Sequence, residues 1–376
     1  MMHNKTLMIV GMGDLAGLVL NLIVQGNLAG QIVLASRNAE EMLLRKNLAL
    51  LFSAQLGYYP DIVCEQLDLT DIDDTTNKIY KHKPDIIFNT ATLQSWRMIT
   101  YLPKAVFKQL DEAQFGPWLP MHLSLIYKLM QAVQRSGIQP LVVNAAFPDA
   151  VGAVLASKKL APAIGIGNVA NVIPGLRGAV SLLTSVPMEM IEVSLITQHY
   201  FSHRIPVYGD AGGSPYHLRV EVEREDIGDT FNHNEVFALL RDKFRRTGGA
   251  FRQLITAASA VSVLRPLLQN EEAVIHAPGP KGLPGGYRVA IGPDKLEVLL
   301  PDDLTLAEAV KINNDCQRFD GIDHIDDEGN IYFTAKEMNI MKQMLGYECL
   351  KMGLEETDEL SEELGRKYRD FRKKYA

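Results

Sequence analysis

Residues 7–17 read Leu7-Met8-Ile9-Val10-Gly11-Met12-Gly13-Asp14-Leu15-Ala16-Gly17. Four consecutive apolar residues that run straight into a glycine turn form the pattern of a strand buried on both faces and ending in a tight loop. Residues 18–24 continue at helical spacing, and Gln31-Ile32-Val33-Leu34-Ala35 reads as a second strand. Strand, turn, helix and strand occupy about 30 residues, the size of one βαβ unit.

The glycines in such a turn have a chemical use. A dinucleotide pyrophosphate must come close to the backbone where a helix begins, and there the free N–H groups and the helix dipole hold its charge. Gly11 is expected to make the turn, Gly13 to admit the phosphates, and Ala16 or Gly17 to let helix and strand pack closely. The second strand ends Ala35-Ser36-Arg37-Asn38, with no carboxylate before Glu40. Sites that prefer NAD place Asp or Glu there for the ribose hydroxyls, whereas Ser36 and Arg37 suit a 2′-phosphate, so the expected cofactor is NADP rather than NAD.

The alternation continues outward. Residues 40–56 read as a helix, 62–67 as a strand, 71–82 as a helix and 84–88 as a strand ending in Asn89-Thr90-Ala91. Residues 119–135 form an amphipathic helix that carries His122, for which packing is the ordinary role, and 141–143 form a fifth strand. This is the order of a doubly wound parallel sheet, whose ligands lie at the carboxyl ends of its strands.

The 376 residues carry a net charge of −7 and 47% hydrophobic residues, which fits ordinary globular domains and argues against a general nucleic-acid binder. Cys64, Cys316 and Cys349 are scattered and lack metal-ligand spacing, so no metal site and a reducing compartment are expected. The apolar run 7–10 is too short for a secretion signal, and the uncharged stretch 160–176 contains prolines, asparagines and glycines unsuited to a membrane span. The expected location is cytoplasmic.

The segment 5–95 resembles the cofactor domain of saccharopine-dehydrogenase-like and opine-forming oxidoreductases. The likeness rests on the 11–17 loop, Ser36-Arg37-Asn38, Asp68-Leu69-Thr70-Asp71 and Asn89-Thr90-Ala91. It implies a Rossmann domain whose dinucleotide meets Gly11, Gly13, Asp14, Leu15, Ala16, Ser36, Arg37, Asp68, Leu69, Thr90 and Ala91, with Asn144 at the end of the fifth strand. The later sequence is similar, more loosely, to lactate and malate dehydrogenases. Val143-Asn144 precedes Pro148-Asp149, Gly165-Ile166-Gly167-Asn168 precedes Arg177, and residues 191–196 lead to His199. That resemblance implies His199 as the acid/base, with Arg177, and Arg97 after the fourth strand, gripping a substrate carboxylate. The chain departs from that pattern where Ala145-Ala146-Phe147 stretches the Asn–Pro spacing, where no Leu-Asp pair precedes the arginine, and where Tyr200 follows the histidine.

From about residue 152 the βα repeat stops. Strands are expected at 189–198, 217–225, 287–291 and 296–300, and helices at 234–244, 251–264, 304–313 and 335–345. The expected architecture is α/β: a Rossmann domain over 1–150 and a C-terminal α+β substrate and dimerisation domain over 151–376. Histidine titrates near neutrality, so His199, with His203 as the other candidate, is suited to moving the proton that accompanies hydride transfer. The run 276–287 is rich in Gly and Pro and reads as a substrate lid or a crossover; 320–327 lacks the register of a calcium loop and reads as a hairpin turn. The charged tail 355–375 reads as a solvated terminal helix or a dimer contact. The function these readings imply is hydride transfer to or from a small carboxylate-bearing CH–NH or CH–OH centre in a homo-oligomer. The alternatives are a lactate/malate-type 2-hydroxy-acid dehydrogenase and a non-redox dinucleotide-binding sensor.

Overall fold

The computed structural model describes residues 5–247 and 250–375, and of residues 96, 97 and 250 the backbone alone. Six strands make the parallel sheet: β1 (Thr6–Val10), β2 (Gln31–Ser36), β3 (Asp61–Gln66), β4 (Ile86–Asn89), β5 (Leu141–Asn144) and β6 (Ile164–Gly165), in spatial order β3-β2-β1-β4-β5-β6. This is the doubly wound order, with its switch point between β1 and β4. Side chains alternate along β1 as a strand requires. Met8 and Val10 enter one core, Leu7 and Ile9 the other, and all four are at most 2% exposed.

Helices cover both faces. On the first lie α1 (Asp14–Gln25) and α10 (Gln253–Gln269), which pack against each other; on the second lie α3 (Ile72–His82) and α5 (Leu119–Ser136). Between them in the chain run α2 (Ala39–Gln55), α4 (Lys104–Asp111), α6 (Pro148–Ala156), α7 (Val169–Thr184), α8 (His199–Tyr208) and α9 (His233–Asp242). A third core joins α7, α8 and α9 to an antiparallel sheet of β7 (Ile191–Ile196), β8 (His217–Val222) and β9 (Glu225–Asp226). A second antiparallel sheet holds β10 (Ala273–Pro278), β11 (Gly286–Gly292) and β12 (Lys295–Leu299). The α+β character expected after the parallel sheet is therefore present.

Three arrangements differ from the sequence reading. The parallel sheet runs past residue 150, because Ile164 and Gly165 pair with Val143 and Asn144. The run 276–287 is no lid: β10 and β11 pair antiparallel across it, and most of its residues are buried. The C-terminal segment returns to the first unit. After α11 (Leu306–Gln317) come β13 (Ile322–Ile325), β14 (Ile331–Phe333), α12 (Ala335–Leu345), β15 (Lys351–Met352) and α13 (Thr357–Lys373), and Ile322, Phe333, Met341, Leu364 and Phe371 share the core of Met8 and Val10. Helix α13 is packed on α5 rather than solvated. Its buried stripe is Thr357, Ser361, Leu364, Tyr368 and Phe371, at helical spacing but partly small and polar, so the surrounding charges conceal it in the sequence. Tyr368 Oη donates to the Met98 carbonyl at 2.8 Å, and Ser124 Oγ donates to Asp358 at 2.6 Å. Among the described residues no helix is long and apolar enough to cross a membrane.

Candidate functional site

The carboxyl ends of the parallel strands open into a cleft of about 650 Å³. Gly11 has φ +90°, and a Cβ there would stand 2.9 Å from the Ala91 backbone nitrogen, so only glycine fits. Helix α1 then starts at Asp14 with no side-chain cap from Gly13, which leaves its first N–H groups for a ligand, and a Cβ on Gly13 would meet nothing within 4 Å. Thr90 closes the other wall, its Oγ1 donating to the Val10 carbonyl at 3.1 Å. Gly11, Gly13, Asp14, Leu15, Ala16, Ser36, Arg37, Asp68, Leu69, Thr90 and Ala91 all line this cleft. Asn144 does not. It is buried beneath it, accepting from Asn89 Nδ2 at 3.0 Å and from the Ala146 N–H at 3.0 Å, and so ties β4 to the turn after β5. Burial works to raise the Asp68 carboxyl, but hydrogen bonds from Thr70 and the charge of Arg37 outweigh it and hold it below the usual carboxylate value.

The far end of the cleft is built by the second half of the chain. His199 is the first residue of α8, after Gln198 as N-cap. Its Nδ1 lies 3.0 and 3.2 Å from the two carboxylate oxygens of Asp320, itself 2% exposed. Burial alone would lower this imidazole, but the charge and hydrogen bond of Asp320, with help from Asp149, raise it above its ordinary value. Nε2 has no protein partner among the described residues. Aromatic rings fix the imidazole plane: Phe115 stacks on it at 4.8 Å and Phe147 meets it edge-on at 5.6 Å. Phe147 holds φ +41°, a backbone state uncommon for a bulky residue and concentrated at functional sites.

Two more titratable groups stand beside His199. Asp149 is fully buried at the start of α6, hydrogen-bonded to Asn168 Nδ2, with its Oδ1 unpartnered among the described residues. Burial pushes it up to about 6, against the pull of His199 and Asn168. His122 lines the cleft behind Phe115; burial and the neighbouring charge of His199 push it down to about 3, so it is neutral.

A second chamber of about 410 Å³ adjoins the first and shares Tyr101, Asn168, His199 and Gln253 with it. His203 lies here, its ring 5.9 Å from that of His199; burial, His199 and Arg252 push it down to about 3. Arg246 and Arg252 supply the chamber's positive charge. Arg246 Nη2 donates to the Asn171 carbonyl at 2.6 Å, and burial, then Arg252, holds Arg246 below its usual value. Two buried acceptors, Asn171 Oδ1 and Gln253 Oε1, are unpartnered among the described residues. The arrangement can hold an anion and a hydrogen-bond donor next to an imidazole.

The arginines expected for this task lie elsewhere. Arg177 belongs to neither chamber; it is half-buried on α7 near Arg288 and Glu192, and burial with the Arg288 charge lowers it. The Arg97 side chain falls outside the described residues; its backbone belongs to the short helical turn Trp96–Tyr101, which lends Met98 and Tyr101 to the cleft. Sequence reasoning missed Asp320, Asp149, Arg246 and Arg252. Asp320 was embedded in an acidic run read as a hairpin, 121 residues from its histidine. Asp149 had a signal, the Pro148-Asp149 pair opening a helix after the fifth strand.

No protein-family model matches the chain, and no curated protein matches it. Solved structures do. A malate dehydrogenase from Aeropyrum pernix aligns with TM-score 0.55 at 14% identity, over 83% of this chain and 96% of that one. A malate dehydrogenase from Plasmodium falciparum in complex with NADH aligns with TM-score 0.55 at 14% identity, over 84% and 98%. A lactate dehydrogenase from Eimeria maxima with NADH and oxamate aligns with TM-score 0.54 at 12% identity, over 82% and 91%. These agree with the weaker of the two resemblances; the saccharopine- and opine-type likeness has no counterpart among them. At such identities what the chain shares with lactate and malate dehydrogenases is the fold, a doubly wound parallel sheet followed by an α+β unit, over nearly the whole length of those enzymes.

Proposed function

We propose that this protein is a nicotinamide-dinucleotide-dependent oxidoreductase that interconverts a small 2-hydroxy acid and its 2-oxo acid. The observation that carries this reading is the continuity of one cleft from the Gly11–Gly13 turn to the His199–Asp320 pair. The residues present fit the cofactor: a close-approach glycine, an uncapped helix start, small residues at the end of β4, and a groove leading past them.

In this reading Asp320 accepts the Nδ1–H of His199 and fixes the tautomer, which leaves Nε2 to take the hydroxyl proton of the substrate. A nicotinamide dinucleotide held along Gly11, Gly13 and Thr90 would supply the hydride chemistry at the same carbon. In reduction His199 returns its proton to the carbonyl oxygen, and Asp320 stabilises the imidazolium that precedes this. Arg246 and Arg252 replace Arg97 and Arg177 as the groups proposed to hold the carboxylate, since a guanidinium binds that group through paired N–H donors. Phe115, Phe147 and His122 keep water from the imidazole. Ser36 and Arg37 favour NADP, because β2 ends without a carboxylate. We also read the protein as homo-oligomeric, on the exposed apolar face of α2, and as cytoplasmic, on its three free cysteines.

The test follows cofactor absorbance with NADH and NADPH against a panel of 2-oxo acids, imines and 2-hydroxy acids. Turnover confined to 2-oxo and 2-hydroxy acids supports the reading. Turnover of imines alone transfers the site to CH–NH chemistry, and dinucleotide binding without any turnover leaves a sensor. Arg37→Asp is expected to weaken NADPH at least tenfold more than NADH, the scale of one lost charge-assisted contact; equal weakening of both refutes the NADP preference.

A further inference from the structure

A separate cavity of about 530 Å³ lies at the opposite edge of the parallel sheet, where β5 and β6 begin rather than end. Leu141 and Ile164, the last turn of α10 and the β11–β12 turn give it apolar walls. Its volume falls within the range of small-molecule sites, about 300–1,000 Å³. Three of its lining residues are lysines, Lys159, Lys281 and Lys295, against a single carboxylate, Asp294.

The lysines differ in their partners. Lys295 pairs with Glu272 at 3.3 Å. Lys159 and Lys281 have no ion pair among the described residues, and both sit in the left-handed backbone region, at φ +58° and +51°. A lysine gains nothing locally from that conformation. At Lys281 it is locked by a backbone bond, the Lys281 N–H donating to the Ala163 carbonyl at 2.8 Å. The fold thus holds two unpaired cations at the mouth of an apolar chamber in a protein whose net charge is −7.

We propose that this cavity binds a small organic anion with an apolar body: an alkyl chain of medium length takes the apolar walls, and its carboxylate or phosphate head takes Lys159 and Lys281. The proposal does not depend on the redox reading, since the two sites lie at opposite ends of the sheet.

Calorimetric titration of the full chain with octanoate, octyl phosphate, octanol and octylammonium tests it. Saturable binding of at least one of the two anions, at one per chain, is expected, and the tighter head group identifies the source as carboxylate or phosphate. Affinity should fall at least tenfold in the double variant Lys159→Glu, Lys281→Glu, and octylammonium should not bind. The single variants Lys159→Met and Lys281→Met, which leave the walls intact, should each weaken the anion and serve if the double variant does not fold. The proposal is overturned if neither anion saturates, if octanol or octylammonium binds as tightly as the anions, or if the lysine variants bind them like the parent protein.

Discussion

His199 stands beside two buried carboxyl groups, Asp320 and Asp149. Asp320 is paired with it through Nδ1, while burial pushes Asp149 up to about 6. His199→Asn should therefore reduce turnover by about 10²–10⁴ while dinucleotide binding, read by fluorescence, persists. Asp320→Asn, which keeps the shape but not the charge, should also depress kcat, and should move the pH midpoint of the reaction downward, because the raised histidine loses the partner that raises it. An unchanged pH profile would sink the pairing argument. Asp149 gives a stability prediction. Its folded value lies above the ordinary 3.8, so between about pH 4 and pH 6 the folded chain keeps a proton that the unfolded chain has released, and stability falls as pH rises through that window. Asp149→Asn should remove that share of the slope, roughly 2–3 kcal/mol, in urea unfolding compared at about pH 4 and about pH 7. Equal pH dependence in parent and variant would show that Asp149 titrates normally.

Helix α2 shows what one element can carry beyond its place in a layer. Asn38 caps it by accepting from the Glu41 N–H at 3.0 Å, and Met42, Ala49 and Ser53 face the sheet. The opposite face exposes Leu44, Leu48 and Leu51, the last at 69%, at i, i+4 and i+7 spacing. This exposed apolar stripe is the surface on which the homo-oligomer proposal rests. Leu48→Glu with Leu51→Glu should convert an oligomer to a monomer in light scattering with little loss of thermal stability, since neither side chain belongs to a core. A parent protein that is already monomeric at micromolar concentration would dispose of the homo-oligomer reading.

At the scale of the whole molecule the C-terminal segment is structural to the unit built on the parallel sheet. Phe371, 7% exposed, belongs to the core that also contains Val10 and Leu69, two residues that line the large cleft. Phe371→Ala should cost about 3–5 kcal/mol, the usual loss for a buried phenylalanine, measured by denaturant midpoint. A loss below about 1 kcal/mol would mean that α13 is peripheral.

The first strand, its glycine turn and most residues that line the cleft at the carboxyl edge were legible in the sequence because each is decided by neighbours within a few residues: apolar period, φ at Gly11, a helix start. His199 was legible for the same reason, as a titratable residue just after an apolar strand. Its partner was not. Asp320 meets His199 only because α8 and the turn before β13 are packed together, and nothing in an acidic run announces which carboxylate will be buried. Arg246 and Arg252 likewise count as ordinary surface charge until the segment leading into α10 brings them to the chamber that holds His199 and His203. Local pattern was enough for a parallel sheet with a glycine turn and a cleft at its carboxyl edge. Which carboxylate holds the histidine, which arginines share its chamber, and that the last helix belongs to the first unit follow from packing, because burial and charge pairing between residues far apart in the chain are not written in local pattern.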